Sequence, residues 1–161
     1  MAVSAGEFKQ SLQHWASGVT VVTTKAEGKE EQGMTVTSFA SVSLDPPQIL
    51  VCLNNSAETG EGIQESGYFA VNILSSEQES VSNNFAGGNS MQERFNATPW
   101  SSGVTGAPVL EQTLASLECK MVKQMRAGTH WVVVGEVQNV TCRSGDPLLY
   151  FRAGYQKLAT L

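Results

Sequence analysis

The chain has 161 residues, of which 41% are hydrophobic and 16% charged, and its formal net charge is −5 with a sequence pI near 5.0. A chain of this length can bury a real core, so we expect a single domain over residues 1–161. The acidic balance argues against a nucleic-acid partner, because phosphate binding needs a basic face.

The sequence favours a cytoplasmic protein without a membrane partner. Its apolar runs fall short of the roughly 18 residues of a membrane span, and its first residues form a helix-capping pattern rather than a signal peptide. Cys52, Cys119 and Cys142 lie in or beside apolar runs, which suits buried free thiols in a reducing compartment. The charged fraction is below the usual value of about 25%, which fits additional surface buried in a homo-oligomer.

The first predicted elements are a helix over residues 4–15, opened by the capping-box spacing of Ser4 and Glu7, and a strand over residues 19–25. A second strand is predicted over residues 33–43. It is dense in hydroxyl groups, at Thr35, Thr37, Ser38, Ser41 and Ser43.

Alternation along this second strand puts Thr35, Thr37 and Ser41 on one face and Ser38 on the other. Buried hydroxyl groups need hydrogen-bond partners, which a polar ligand, solvent or neighbouring backbone could supply. A solvated sheet face remains the alternative, since threonine is a good strand former.

Two more helices are predicted, over residues 56–65 and 76–85, the second opened by Ser76 and Glu79, and an irregular stretch then runs through residue 108. The remaining strands are predicted over residues 48–53, 68–74, 115–125, 130–142, 148–151 and 155–158. Many strands and few short helices predict a mainly β fold, an antiparallel barrel with peripheral helices.

The common catalytic and metal-binding signatures are missing from the sequence. The dinucleotide fingerprint fails because Glu65 stands where its third glycine belongs, and no phosphate-binding loop ends in Gly-Lys-Ser or Gly-Lys-Thr. The two histidines, His14 and His130, lack an adjacent carboxylate pair, so we expect no metal site.

The segment from Asn54 to Gly60 follows a buried strand and leads into a helix. A helix N-terminus offers free N–H groups and the positive end of the helix dipole, so it suits a phosphate, to which Ser56 and Thr59 could donate. Simple capping by Ser56 or Thr59 is the favoured interpretation when the segment is taken alone.

Two other sets of residues have side chains that could bind a ligand. His130 begins an apolar strand, where it is either a structural residue or a donor to a substrate. Near the C-terminus, Tyr150, Arg152 and Tyr155 combine aromatic rings with a cation, which can hold a planar ring and an anion. An ordinary aromatic edge of a barrel is the alternative.

Seven motifs occur in order along nearly the whole chain: Gly-Met-Thr-Val-Thr-Ser-Phe-Ala-Ser-Val-Ser at 33–43, Asp-Pro-Pro at 45–47, Ser-x-x-Thr at 56–59, Phe-Ala-Val-Asn at 69–72, Gly-Ala-Pro-Val-Leu at 106–110, Gly-x-His at 128–130 and Pro-Leu-Leu-Tyr at 147–150. Together they resemble the flavin reductase family with the FMN-binding split-barrel fold. Its members include the small reductase components of two-component flavin-dependent monooxygenases, such as the 4-hydroxyphenylacetate 3-monooxygenase system.

The resemblance implies an antiparallel split β-barrel of the FMN-binding type and a homodimer. It implies an NAD(P)H:flavin oxidoreductase that reduces FMN or FAD with NADH or NADPH and supplies reduced flavin to a separate oxygenase component. A flavoprotein that binds FMN tightly, as an electron carrier or sensor without turnover of free flavin, is the alternative.

The resemblance also implies roles for individual residues. Those expected to line the flavin ring and ribityl chain are Thr35, Thr37, Ser38, Ser41, Cys52 and Asn54. Ser56 and Thr59 are expected to hold the flavin phosphate. His130 is the implied catalytic residue at the nicotinamide, with Tyr150 and Tyr155 nearby and Arg152 at a cofactor phosphate.

Three positions depart from the family pattern. Thr129 stands where an aspartate often precedes the histidine, so a carboxylate is not expected to orient His130. Glu58 replaces a common basic residue before the phosphate-site threonine, which predicts weak flavin binding unless its carboxylate points to solvent. Ala153 replaces a frequent glycine in the loop that carries Arg152.

Overall fold

The structure, a computed structural model, describes residues 2–159. Within this range the helices are α1 Ala5–Leu12, α2 Glu58–Ser66, α3 Glu79–Phe85 and α4 Met91–Asn96. The strands are β1 Ser17–Gly18, β2 Thr20–Thr24, β3 Gln32–Val36, β4 Phe39–Leu44, β5 Pro47–Asn54, β6 Tyr68–Ile73, β7 Trp100–Ser102, β8 Pro108–Leu110, β9 Ala115–Ala127, β10 His130–Cys142, β11 Leu149–Phe151 and β12 Gly154–Gln156. The prediction of a mainly β fold with a few short helices is confirmed. Over residues 2–159, none of the helices has the length and apolar character needed to span a membrane.

A seven-stranded antiparallel sheet forms the body of the protein, in the order β3-β2-β6-β9-β10-β5-β4. Its two edge strands, β3 and β4, are consecutive in the chain and are joined by Thr37 and Ser38 alone. Because so short a connection cannot cross a flat sheet, the sheet curls until its edges approach one another at this point.

The prediction of one continuous strand over residues 33–43 is therefore wrong. The chain leaves its pairing with β2 after Val36 and pairs with β5 from Phe39 onward. The hydroxyl-rich segment thus belongs to both edges of the sheet, and the change of partner places Thr37 and Ser38 outside both ladders.

The interior of the curled sheet is the main apolar core. Its fully enclosed side chains include Val22, Val51, Leu53 and Phe69. Gly135 lies against this core, where a Cβ atom would fall 2.5 Å from a ring carbon of Phe69, so the close approach requires glycine. Along β5 and β10, strand alternation turns the residues on either side of each core residue to the opposite face of the sheet, away from this core.

A second core covers the outer side of β2 and β6 with α3, α4 and the β7–β8 hairpin. Its aromatic rings meet edge to face, with centroids 5.2 Å apart for Phe85 and Phe95 and 5.7 Å apart for Phe95 and Trp100. Asn72 ties the hairpin to the sheet, because its Oδ1 accepts from the Leu110 N–H at 3.0 Å and its amide donates to the Val21 carbonyl at 3.0 Å.

Two local predictions in this region are wrong. Helix α3 begins at Glu79 after Gln78, whose side chain does not cap it within the described structure, so Ser76 and Glu79 form no capping box. Part of the stretch predicted as irregular is helix α4, Met91–Asn96, which Ser90 and Glu93 open with a true capping box. Hydrogen bonds from the Ser90 backbone and hydroxyl hold the pKa of Glu93 below its ordinary value.

Candidate functional site

Strand pairing brings Asn54 and His130 together at one end of the sheet. They are directly opposite in the antiparallel pairing of β5 and β10, and Cys52 lies opposite Val132. Asn55 holds the β9–β10 turn in place, because its backbone N–H donates to the Thr129 carbonyl at 3.0 Å. Asn54 and His130 are exposed and share one face with Cys52, on the side away from the core.

The loop after β5 is organised by Asn54. Its Oδ1 accepts from the backbone N–H of Ser56 at 3.0 Å and from the Ser56 hydroxyl at 2.8 Å. Helix α2 then begins at Glu58 with Ala57 as its N-cap and no capping side chain from the described residues. The interpretation of Ser56 or Thr59 as a simple helix cap is therefore wrong, because Ser56 serves the loop and Thr59 lies inside the helix.

Thr59 is fully buried in the first turn of α2. Within residues 2–159 its Oγ1 has no hydrogen-bond partner, and the same holds for Oδ1 of Asn55 at the preceding turn. An uncapped helix N-terminus beside an unsatisfied hydroxyl fits an anion such as a phosphate, because the free N–H groups and the hydroxyl are donors. Glu58 is exposed, so its carboxylate lies toward solvent.

Ser38 lies in the two-residue connection between β3 and β4 and forms hydrogen bonds with Cys52 on β5. Its carbonyl accepts from the Cys52 N–H at 3.1 Å, and its hydroxyl donates to the Cys52 carbonyl at 2.9 Å. Ser38, Cys52 and Asn54 therefore follow one another along the edge of β5, and α2 begins beyond Asn54.

A cavity of about 560 Å³ opens beside Ser38, between α1, the start of β4 and the β11–β12 turn. Four of the predicted binding residues line it, namely Thr37, Ser38, Tyr150 and Arg152. Sequence reasoning missed its wall on α1 and the residues just after this helix, formed by Lys9, Leu12, Gln13 and Trp15. The signal was available in part, since the sequence of α1 is amphipathic.

The other predicted residues are placed differently. The Thr35 hydroxyl donates to the Ser82 carbonyl at 2.7 Å, so it fastens α3 to β3. Ser41 is exposed on β4 opposite Ile49. The Tyr155 hydroxyl lies 2.8 Å from Ser82 Oγ, and its ring meets that of Tyr150 edge to face. Thr35 and Tyr155 thus hold elements together next to the cavity.

His130 has a hydroxyl neighbour at the position where the family pattern often has an aspartate, as expected from Thr129 in the sequence. Thr129 Oγ1 lies 2.9 Å from Nδ1 of the imidazole. A hydroxyl can donate to the neutral ring or accept from its N–H, whereas a carboxylate can only accept. The contact leaves Nε2 free to face a ligand at the exposed end of β10.

The sequence matches the model of the flavin reductase like domain over residues 12–159. It is 39% identical over 158 residues to FMN reductase (NADH) RutF of Pseudomonas syringae, covering 98% of this chain and 88% of that protein. It is 33% identical over 155 residues to HsaB of Rhodococcus jostii, described as the reductase subunit of a flavin-dependent monooxygenase, covering 96% of this chain and 78% of that protein.

The fold is similar to that of a solved flavin enzyme. The structure of the NADH:FAD oxidoreductase SgcE6 of Streptomyces globisporus superposes with a TM-score of 0.91 at 30% identity, covering 99% of this chain and 98% of that chain. The family match includes β5, the start of α2 and the β9–β10 turn, which are the parts that build the site. The chain therefore belongs to the flavin reductase family.

Proposed function

We propose that this protein is an NAD(P)H-dependent flavin reductase that reduces FMN or FAD and supplies reduced flavin to a separate oxygenase. The observation that carries the proposal is the family match over residues 12–159. RutF is named as an FMN reductase that uses NADH, HsaB as the reductase subunit of a monooxygenase, and SgcE6 as an NADH:FAD oxidoreductase. These names support a nicotinamide reductant and leave both flavins as candidates.

The proposed flavin site follows the edge of β5. Thr37, Ser38 and Cys52 would contact the ring, Asn54 the ribityl chain, and Ser56 with Thr59 the phosphate at α2. The unsatisfied Thr59 hydroxyl and the uncapped helix support this order. We propose supporting roles for Thr35, Ser41 and Tyr155, because Thr35 and Tyr155 already bond to α3 and Ser41 lies on β4 away from the cavity lining.

His130 is the proposed catalytic residue, because it lies opposite Asn54 in the pairing of β10 with β5, at the exposed end of the proposed flavin site. Its imidazole would orient the nicotinamide, while the apolar cavity wall excludes water from the reacting faces. When both groups are bound, the chemistry they supply is hydride transfer from nicotinamide C4 to flavin N5. The protein then contributes alignment and needs no nucleophile of its own.

Three finer proposals concern the barrel type, the assembly and the location of the protein. The joined but unpaired edges β3 and β4 favour an antiparallel split β-barrel of the FMN-binding type over residues 1–161 as one domain. Exposed apolar side chains on β4 and β9, Leu44 at 93% and Met125 at 55% exposure, favour a homodimer that covers them. The nicotinamide reductant and the free thiols favour a cytoplasmic location.

The test is NADH and NADPH oxidation by the purified protein, with and without added FMN or FAD. We expect oxidation that depends on free flavin and saturates with it. A protein that binds one flavin tightly and does not turn over would contradict the proposal and favour an electron carrier. Addition of an oxygenase component that consumes reduced flavin then tests the delivery step.

A further inference from the structure

The tip of the β9–β10 hairpin carries His130 and is held by few neighbours. Strand β9 pairs with β6 over Ala115–Lys120, and beyond this point, within residues 2–159, the hairpin has only β5 as a neighbouring strand. All residues from Met125 to His130 are exposed. A two-stranded hairpin is only marginally stable by itself, so the position of His130 depends on the contacts that fasten the tip.

Two hydrogen bonds from Asn55 fasten this tip to the loop after β5. The backbone N–H of Asn55 donates to the Thr129 carbonyl at 3.0 Å, and its side-chain Nδ2 donates to the Gly128 carbonyl at 3.0 Å. Gly128 and Thr129 are the two residues of the turn, and Gly128 adopts φ 58°, a conformation that favours glycine. Both carbonyls of the turn are thus bonded to one residue.

The amide of Asn55 is an unfavourable group for simple packing at this position. Within residues 2–159 its Oδ1 is buried and has no hydrogen-bond partner, and a buried acceptor without a donor destabilises the folded protein. An apolar side chain would avoid this cost, but it could not donate to the Gly128 carbonyl. The amide therefore holds the turn in one place at a cost in stability.

The turn is linked directly to the imidazole. Thr129 Oγ1 lies 2.9 Å from Nδ1 of His130, so the orientation of the ring follows the position of Thr129. Asn54, the neighbour of Asn55, lies opposite His130 and bonds to the hydroxyl of Ser56 in the proposed phosphate loop. Asn54 and Asn55 together therefore join the proposed phosphate loop to the turn that carries the histidine.

We infer that Asn55 is a positioning residue for the proposed hydride transfer, because its amide fixes the β9–β10 turn and with it the direction of the His130 imidazole. The inference rests on the proposed function, in which His130 contacts the nicotinamide. The Asn55 amide bonds to the turn and not to the flavin, so Asn55 acts through His130. Loss of the amide should misalign the reacting groups without weakening flavin binding.

Stopped-flow measurement of flavin reduction at saturating NADH tests this role. Asn55→Ala and Asn55→Asp are each expected to slow the reduction about tenfold, while the flavin dissociation constant changes little. Aspartate has the shape of asparagine but its carboxylate offers no N–H, so equal losses in the two variants assign the effect to the missing donor. Reduction at the original rate in both variants overturns the inference.

Gln138→Ala is the matched control for these variants. Gln138 is exposed, and its side-chain Nε2 also donates to a backbone carbonyl of β10, that of Glu136 at 3.2 Å. It lies eight residues along the strand from His130, outside the hairpin tip. Its replacement removes the same kind of hydrogen bond and should leave the rate of flavin reduction unchanged.

A double-mutant cycle with His130→Ala distinguishes positioning from an independent effect. If Asn55 acts through the imidazole, Asn55→Ala slows flavin reduction in the original protein but adds nothing in the His130→Ala background. The same slowing in both backgrounds overturns the inference, since Asn55 would then support the scaffold of the site rather than the histidine.

The imidazole signals give a readout that does not depend on turnover. The sequence contains two histidines, His14 and His130, so their ring signals in NMR spectra can be assigned with His14→Ala. Asn55→Ala should shift or broaden the signals of His130 and leave those of His14 unchanged, and Gln138→Ala should move neither. Unchanged His130 signals in Asn55→Ala overturn the inference.

The failures of the two proposals are separable. If the unmodified protein oxidises neither NADH nor NADPH with either flavin, the proposed function fails, while the NMR comparison still decides whether Asn55 fixes His130. If the unmodified protein turns over and the Asn55 variants match it in rate and in their His130 signals, the reductase function stands and the positioning role is overturned.

Discussion

His130 lies directly opposite Asn54 in the antiparallel pairing of β10 with β5, and both side chains project from the face away from the core. The pairing is fixed by the ladder below it, in which Val133 lies opposite Val51 within the main core. A shift of register by one residue would turn His130 to the other face, so the apolar core holds the histidine at the proposed flavin site.

Substitution of His130 by alanine tests its proposed role at the nicotinamide. We expect flavin reduction at saturating NADH to slow by about tenfold to a hundredfold, because loss of an orienting contact misaligns the reacting atoms. The flavin dissociation constant should change little. Stopped-flow absorbance of the flavin gives the rate, and fluorescence titration gives the affinity. His14→Ala is the control, and a rate equal in both variants removes His130 from the mechanism.

Substitution of Thr59 by valine separates a binding role from a structural one. The hydroxyl is buried and has no hydrogen-bond partner among residues 2–159, so its removal should leave the flavin-free protein equally stable or raise its free energy of unfolding by about 1 kcal/mol. FMN binding should weaken by about 1–2 kcal/mol through the lost donor. Urea unfolding and FMN titration measure the two effects.

Riboflavin is the control ligand for Thr59→Val, because it lacks the phosphate. Its affinity should be the same in the variant and the original protein. An equal loss for riboflavin and FMN would move the effect of Thr59 from the phosphate to the packing of α2. Ser56→Ala provides a second comparison, since the Ser56 hydroxyl is already bonded to Asn54.

The sequence predicted the strands well where apolar alternation was long and regular. The predicted bounds of β10 match the structure, and β5 and β6 differ by a residue at their ends. It failed at residues 33–43, because propensity does not reveal that a strand changes its pairing partner midway. The β7–β8 hairpin was missed for a related reason, since Asn72 fixes it through contacts distant in the chain.

The site was predictable to a similar degree. Local motifs placed Asn54 and His130 at strand ends, and the pairing of β5 with β10 then brought these two residues together. The choice of Ser56 or Thr59 as a cap failed, because only the fold shows that Asn54 uses the Ser56 hydroxyl. The contribution of Trp15 to the cavity wall could be recognised only in the three-dimensional structure. The end of α1 and the β11–β12 turn meet there although more than 130 residues separate them in the sequence.

Replacement of Ala153 by glycine should stabilise the protein. Ala153 has φ 60°, a conformation that costs an L-residue roughly 1–2 kcal/mol and costs glycine little. Part of the gain is offset by the larger entropy of glycine in the unfolded chain, so we expect a net rise of about 1 kcal/mol in the free energy of unfolding. Urea denaturation measures it. Ala127→Gly, at a position in β9 without positive φ, should destabilise instead.

The buried thiol of Cys119 should make stability depend on alkaline pH. Burial, with a smaller contribution from Glu118, raises the pKa of Cys119 from an ordinary 9.0 to about 12. Above pH 9 the unfolded chain loses this proton while the folded protein keeps it, so the free energy of unfolding falls between about pH 9 and pH 12. Below pH 9 both states hold the proton and this contribution does not vary.

Alkylation and substitution test this prediction together. At pH 8, iodoacetamide should modify the exposed Cys142 first, and Cys119 only after unfolding, as mass spectrometry of the labelled peptides can follow. In Cys119→Ala the decline of stability from pH 9 to pH 12 should become shallower, although the variant starts lower because of the cavity it creates. Cys142→Ala is the control and should keep the full decline. Rapid labelling of Cys119 in the folded protein would contradict the burial on which the pH dependence rests.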